Sequence, residues 1–432
     1  MASIPASYID LSSIENVEKQ VLYGNSEQEL DSQLYRAFRP CFWFTQFLCE
    51  AKISSQAPDA SYTISRQVDA TFYSFVRITI PTITVQEQYS STIRIALTYN
   101  AANNFIKKGN ISFSDLPIAN FDSVVLDNYA EFFTKAGRYK AMCKTQGNTI
   151  DKVNFGTTIP GDTLTVFLPM WYDNPEGVPL LNCLCSGNTV NINLSTISTY
   201  DQLVRIQQLD PTTNTWNNIL PSNVQQYCSI QGGWNVQTPK LINCNAVCTD
   251  PERQLIKKNA GNLPIQQWIS YSTKSEKLTD QQITLKLNGS VRAITFNIWN
   301  QTAAQYNWFS NYTTQPYDPE NGVDPVTNLS LIYDTINKYD RVKADIFSEI
   351  LPAKHAVRVP QSVGYHLIPY CRRLCSYDPD GSVNYSNMTP ELHLTMVDSS
   401  LDPLLCNYTI EIRALIFTII NFNDEVLSIP TF

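Results

Sequence analysis

Histidine is nearly absent from this sequence: only His355, His366 and His393 occur among 432 residues. No two of them fall on one turn of a helix, so no HExxH-type zinc face can form, and each is read as a structural or surface residue. No two of the fifteen glycines stand two residues apart, which removes GxGxxG, and neither a GxSxG elbow nor a Walker loop is present. Nucleotide-binding folds lose their phosphate cradle. Long hydrophobic runs are missing too, and the longest candidate, Ala414 to Ile420, has the length of a strand and cannot cross a bilayer as a helix. Residues 1–20 include Asp10, Glu15 and Glu18 and lack the apolar core of a secretory leader, so synthesis and retention in the cytosol are expected. Basic excess is also wanting. The net charge is -8 and the pI about 5.0, against a non-specific nucleic-acid binder and in favour of protein surfaces as partners.

Eleven cysteines are present, and the close pairs Cys183/Cys185, Cys244/Cys248 and Cys371/Cys375 all miss CxxC spacing. Metal knuckles and redox pairs are therefore not expected, and the cysteines are read as buried thiols, with a disulfide formed during maturation as the alternative. No cofactor is implied.

Short alternating or continuous apolar segments, bounded by Asn, Asp, Pro and Ser, recur from about Thr71 to Phe432. This is the pattern of a large all-β protein. The length favours two cores of roughly 200 residues each. Strands are expected at about 69–80, 91–99, 162–170 and 188–196 in the first half. In the second they are expected at 283–287, 291–299, 329–333, 391–397 and 408–420. The last alternates at Ile410 and Ile412, then turns apolar throughout, as a central strand buried on both faces does. A helix between Asp122 and Lys144, with Val125, Tyr129, Phe132 and Phe133 on one stripe, should cross over the first sandwich. Ser13 can cap a short helix over 14–22 whose stripe is Ile14, Val17 and Val21, with Gly24 as its stop. The turn-rich stretch 210–223 is the expected linker. The expected organisation is an arm at 1–24, a first sandwich at 25–209 and a second at 224–432.

Two long connections, Ser310 to Asn328 and Ser376 to Pro390, are rich in Tyr, Asp, Asn and Pro and read as surface or contact loops. Trp171-Tyr172-Asp173 and Trp308-Phe309 could form a sugar-stacking platform beside an acid, which makes a carbohydrate-binding or glycosidase sandwich the alternative from another class. Such aromatics are more often core or interface anchors. Nine Asn-x-Ser/Thr sites occur, and without a leader they should not meet the glycosylation machinery.

Specific residues narrow the reading further. Tyr8-Ile9-Asp10-Leu11, Leu22-Tyr23-Gly24 and Trp43-Phe44-Thr45 resemble the opening of iridovirus-type major capsid proteins of large DNA viruses. In the same order follow Leu126 to Thr149, ending in GNT, then Leu168-Pro169-Met170-Trp171, Val178-Pro179-Leu180, Ser330-Leu331-Ile332-Tyr333, Gly364-Tyr365-His366-Leu367 and the terminal strand with Ile429-Pro430. The resemblance implies two tandem eight-stranded jelly-roll sandwiches, a double jelly roll with short helices in its connections, and a homotrimer acting as a pseudo-hexagonal capsomer in an icosahedral shell. It implies no enzyme activity. It would turn the arm, with Ile14, Val17 and Val21, inward toward minor capsid proteins, and bring the internal membrane near only indirectly. The long loops would point outward, placing Asn311, Tyr312, Tyr317, Asp378 and Asn384 on the outer surface. Neighbouring capsomers would be further partners, nucleic acid would not be touched directly, and assembly would follow synthesis in host cytoplasm. The stretch Cys183 to Asn188 departs from the family's usual Leu-Pro-Tyr-Asn, which keeps a minor or penton capsid paralogue as an alternative.

Overall fold

The computed structural model describes residues 44–428, apart from 115, 174–177, 186–188, 259–261, 275–278, 335, 377–379, 387, 398–407 and 424–425. The expected helix over 14–22 lies outside the described residues. The principal strands of the first half are β1 (Phe44–Glu50), β2 (Asp59–Thr63), β3 (Ala70–Ile80), β4 (Ile93–Leu97), β5 (Ile106–Phe113), β6 (Leu116–Asp122), β7 (Asp162–Phe167), β8 (Val190–Thr196), β9 (Val204–Asp210), β10 (Thr215–Ile219) and β11 (Lys240–Cys248). Those of the second are β12 (Asn262–Lys274), β13 (Asp280–Thr284), β14 (Ser290–Asn300), β15 (Val326–Tyr333), β16 (Ile336–Lys343), β17 (His366–Pro369), β18 (Pro390–Met396) and β19 (Tyr408–Asn423).

Pairing sorts these strands into two barrels of identical plan. In the first, β1-β11-β3-β7 faces β2-β8-β5-β6; in the second, β12-β19-β14-β17 faces β13-β18-β15-β16. Numbered by their order within each barrel, the eight strands run 1-8-3-6 in one layer and 2-7-4-5 in the other. That is the jelly-roll order, realised twice. β4, β9 and β10 form a small sheet beside the first barrel.

Alternation explains why each layer has an inside. In β8, Val190, Ile192 and Leu194 enter the core, while Asn191, Asn193 and Ser195 face outward. Those outward groups bond across strands: the Asn193 amide donates to Asn110 Oδ1 at 2.9 Å, and Ser61 donates to Asn193 Oδ1 at 2.7 Å. The second core joins Phe296 and Ile298 of β14 to Leu329 and Leu331 of β15 and Leu392 and Leu394 of β18. β19 is buried on both faces, as its sequence indicated: Ile410 and Ile412 enter the second core, and Leu415 joins the first cluster.

Two expectations change. The stretch 210–223 is not a bare linker, because its turn formers close the β9–β10 hairpin through Asn214 at φ 54°, with the Thr212 N–H bonded to Asp210 Oδ1 at 2.8 Å. The chain then returns to the first barrel, where β11 pairs with both β1 and β3, so pairing changes hands only between β11 and β12. The single helix expected between Asp122 and Lys144 is two: α1 (Ser123–Phe133) and α2 (Ala136–Thr145). They part where Thr134 and Lys135 adopt ψ of 124° and 140°. Only α1 is buried along its length.

Leu194 is fully buried in the first core. Leu194→Ala should lower the unfolding free energy by about 2–5 kcal/mol, measured by denaturant titration, since it removes buried methyl groups and leaves a cavity.

Candidate interaction surfaces and the junction between the barrels

α1 begins where Asp122, the last residue of β6, accepts a hydrogen bond from the Val125 N–H at 2.9 Å. The helix sends Val125 and Phe132 into an apolar cluster that spans both halves, where Phe132 meets Tyr365 edge-on at 6.5 Å. It lies on the outer face of the second barrel's β12-β19-β14-β17 layer. There the Asn128 amide donates to Asn297 Oδ1 at 2.9 Å and Thr295 Oγ1 at 3.1 Å, and Phe133 meets Trp268 edge-on at 6.1 Å. Arg413 of β19 pairs with Asp122 at 3.0 Å and with Glu411 at 2.7 Å.

Two carboxylates of α1 complete the junction. Asp127 accepts from Asn100 and Asn103 of the first half at 2.9 and 2.8 Å, and from Ser310 and Tyr312 of the second at 2.6 and 3.0 Å. Burial nevertheless pushes its pKa up to about 6. Glu131 pairs with Arg358 at 2.6 Å and accepts from Tyr139, whose ring lies 3.5 Å from the same guanidinium. Its pKa is raised by burial against the pull of that arginine. Asp173, bonded to Tyr129 of α1 at 3.2 Å, is pushed by burial to about 7.

A second contact between the halves is a stack of rings and guanidinium groups. Arg205 is only 1% exposed and lies 4.1 Å from the Trp308 ring, 4.7 Å from Tyr99 and 5.1 Å from Phe155. Burial lowers its pKa to about 10. Arg94 continues the stack between Phe155 and Trp216, at 5.1 and 4.3 Å. The Asn307 amide donates to the carbonyls of Asp201 and Val204, tying the same loop down.

These contacts correct part of the expected outer surface. Asn311 and Tyr312 are 1% and 3% exposed, because the start of the long loop is drawn inward by Asp127 and by the Asn311 amide bonding to Gln315 and Pro316 carbonyls. Tyr317 is half-buried against Tyr306 and Trp308. Asn384 stands exposed. Asp378, like Ile14, Val17 and Val21, lies outside the described residues. The sugar platform does not form: Trp171, Tyr172 and Trp308 are all buried. His366 is buried too, stacked 4.3 Å from Phe296 with Nε2 2.7 Å from Asp324. No cluster of three His, Cys, Asp or Glu side chains suited to a metal occurs among the described residues. Cys183, Cys185, Cys228, Cys244, Cys248 and Cys371 are buried as thiols.

One large surface was not foreseen. The outer face of β1-β11-β3-β7 presents Leu48, Tyr73, Phe75, Phe167 and Ile242, in register across the four strands. Leu48 is 59% exposed, and Phe75 lies 6.4 Å from Tyr73 and 6.0 Å from Phe167. Arg77 and the Lys240–Glu50 pair border it.

Two jelly rolls of one plan, locked by a shared helix, define a double jelly-roll protein. The second half, residues 252–421, matches the family model described as large eukaryotic DNA virus major capsid protein. Along nearly the whole chain the sequence is homologous to iridovirus major capsid proteins: that of Simulium iridescent virus is 25% identical, covering 90% of this chain and 85% of its own, and that of Invertebrate iridescent virus 3 is 26% identical, covering 90% and 88%. Among solved structures the fold is shared with the Faustovirus major capsid protein, at TM-score 0.72 and 12% identity over 89% of this chain and 92% of that one. It is shared also with a chain of the PBCV-1 virus capsid, at TM-score 0.69 and 13% identity over 91% of this chain and 98% of that one. The resemblance read from the sequence is thus shown.

The junction carboxylates set a pH dependence whose sign follows from proton uptake. Between the unfolded value near 3.8 and the folded values of about 6 and 7, Asp127 and Asp173 hold protons in the folded state that the unfolded chain has released. Stability therefore falls as pH rises through that window. Lowering the pH from 7.5 to 5 should raise the denaturation midpoint, and Asp127→Asn should flatten the rise. Asp127→Ala, which orphans donors from both barrels, should cost about 3 kcal/mol or more in a urea titration at pH 7.5.

Proposed function

We propose that this chain, a structural major capsid protein of the large-DNA-virus kind and not an enzyme, trimerises so that six jelly rolls form one pseudo-hexagonal capsomer. The observation that carries this reading is the repeated barrel: two units of identical strand order, fixed side by side by α1, give one chain two nearly equivalent wedges. Three such chains present six, and six wedges tile a near-hexagonal lattice. The protein is a component of the virion capsid, and assembly in host cytoplasm is part of the proposal. So are contacts with neighbouring capsomers and with minor capsid proteins beneath the shell, the latter through residues 1–24 with Ile14, Val17 and Val21. The membrane beneath would then be reached only through those partners. In this reading the exposed Asn384 belongs to the outer surface.

Two-layered jelly rolls suit this role because they leave few and short strand edges at the concentrations assembly requires. The edge strand β16 carries Lys338, Asp340, Arg341 and Lys343, charges that discourage pairing with a stray chain. Obligate interfaces bury several thousand Å2, so the separated subunit should be a poor competitor to the trimer.

Native mass spectrometry should show a species of about 147 kDa, three copies of 48.9 kDa, that electron microscopy resolves as hexagonal particles. A pentamer would point instead to a penton subunit, and a monomer would overturn the reading. Deleting residues 1–24 should leave the trimer intact and weaken its capture by inner-shell proteins from disrupted virions; loss of the trimer itself would contradict the role given to the arm.

A further inference from the structure

The two barrels of one chain are joined in a way that can be repeated between chains. In the first barrel α1 occupies the connection from its fifth strand, β6, to its sixth, β7. It lies on the outer face of the second barrel's 1-8-3-6 layer. The corresponding connection of the second barrel, from β16 to β17, holds the helical segment Ile346–His355. That segment presents Ile346 and Ile350 to solvent at 36% and 54% exposure, with the exposed acids Asp345 and Glu349 beside them. The corresponding layer of the first barrel is β1-β11-β3-β7, whose outer face carries Leu48, Phe75, Phe167 and Ile242 with Arg77 at the border.

Within the chain, one helical connection and one sheet face have found each other. Among the described residues, the second connection and the other sheet face are left over. We infer that they are partners between copies: the Ile346–His355 segment of one subunit docks on the outer face of β1-β11-β3-β7 of the next. This inference rests on the trimer reading and names its seam.

Three observations favour a second copy as the occupant. The contact continues an interface that the chain already makes internally, between elements at the same places in the same fold. Its chemistry is complementary, since an isoleucine pair flanked by Asp345 and Glu349 meets an aromatic face bordered by Arg77; Lys343 and Lys354 also flank the helical side, and Glu50 the sheet side, paired with Lys240. Finally, the two faces differ, so the contact is head-to-tail and not two-fold. Head-to-tail contacts generate rings when the rotation closes, and three double barrels close a ring of six. The internal junction shows what such a seat looks like, with Trp268 in the first strand of its layer as Leu48 is in the first strand of this one.

The experiment uses the full chain and native mass spectrometry over a dilution series, with circular dichroism to report folding. Leu48→Asp and Phe75→Asp each put a charge on a solvent-facing position and should raise the trimer dissociation constant by about 100-fold or more without changing the spectrum. His393→Asp, on the polar outer face of β13-β18-β15-β16, should leave the trimer unchanged. Arg77→Glu should weaken it by about tenfold, and adding Glu349→Lys should restore most of the loss, a rescue that mere misfolding cannot produce. Leu48→Asp and Phe75→Asp variants as trimeric as the wild type, or absence of rescue in the charge-reversed pair, would overturn the seam alone. A monomeric wild-type chain would overturn the trimer reading and the seam together.

Discussion

A carboxylate can be buried between two protein layers only if donors reach it from its surroundings, and at Asp127 those donors come from both barrels at once. Asn100 and Asn103 belong to the first half, Ser310 and Tyr312 to the second. This requirement fixes the distance and the rotation between the barrels, because neither half can withdraw without leaving a buried charge or buried donors unpaired. Asp122 with Arg413, and Glu131 with Arg358, repeat the constraint at the two ends of α1. The apolar contacts of Phe132 and Phe133 supply the adhesion; the polar ones specify the geometry. A wedge of defined angle is what a lattice-forming subunit has to be.

The Arg205 stack performs a related task by a different chemistry. No carboxylate neutralises this guanidinium in the contacts described, and it is held by π-faces and main-chain carbonyls, including that of Leu97 at 3.0 Å. Trp308 contributes one of those faces from the second half, which explains why a loop rich in Tyr, Asn and Asp is drawn into the interior. Composition alone makes such a loop look solvated. Its first residues are instead the plug between the barrels.

Much of the fold was legible because period-2 alternation is a local property: β8 and β18 announce their inward residues within seven positions each. The burial of β19 on both faces was equally plain from its unbroken apolar run. The hairpin at 210–223 was misread because Asp-Pro-Thr-Thr-Asn suits a linker and a tight turn alike, and only the return of β11 to the first barrel distinguishes them. The ordered motifs that resemble the capsid family carried the functional reading, and homology over nearly the whole chain agrees with it. The junction was beyond reach. Asp127 and Glu131 lie on the face of α1 opposite its apolar stripe, where charge reads as solvated, and Arg358 lies 227 residues beyond Glu131 with nothing local to name it as the partner. The exposed aromatic face was missed for the opposite reason, since Phe75 and Phe167 look like core residues until strand order shows which side they are on.

The two barrels share a long β-sheet that is continuous in name only. Between β6 and β12 the ladder narrows to a single bridge, Trp268 opposite Asn120, whereas β12 and β19 pair over thirteen positions. Forces acting across the subunit, such as internal pressure from packed contents, are therefore not carried from barrel to barrel by a continuous ladder of backbone hydrogen bonds. They pass through the side chains around α1 and through the Arg205–Trp308 stack. The compliance of the whole subunit is concentrated in that helix, that stack and the residues that grip them.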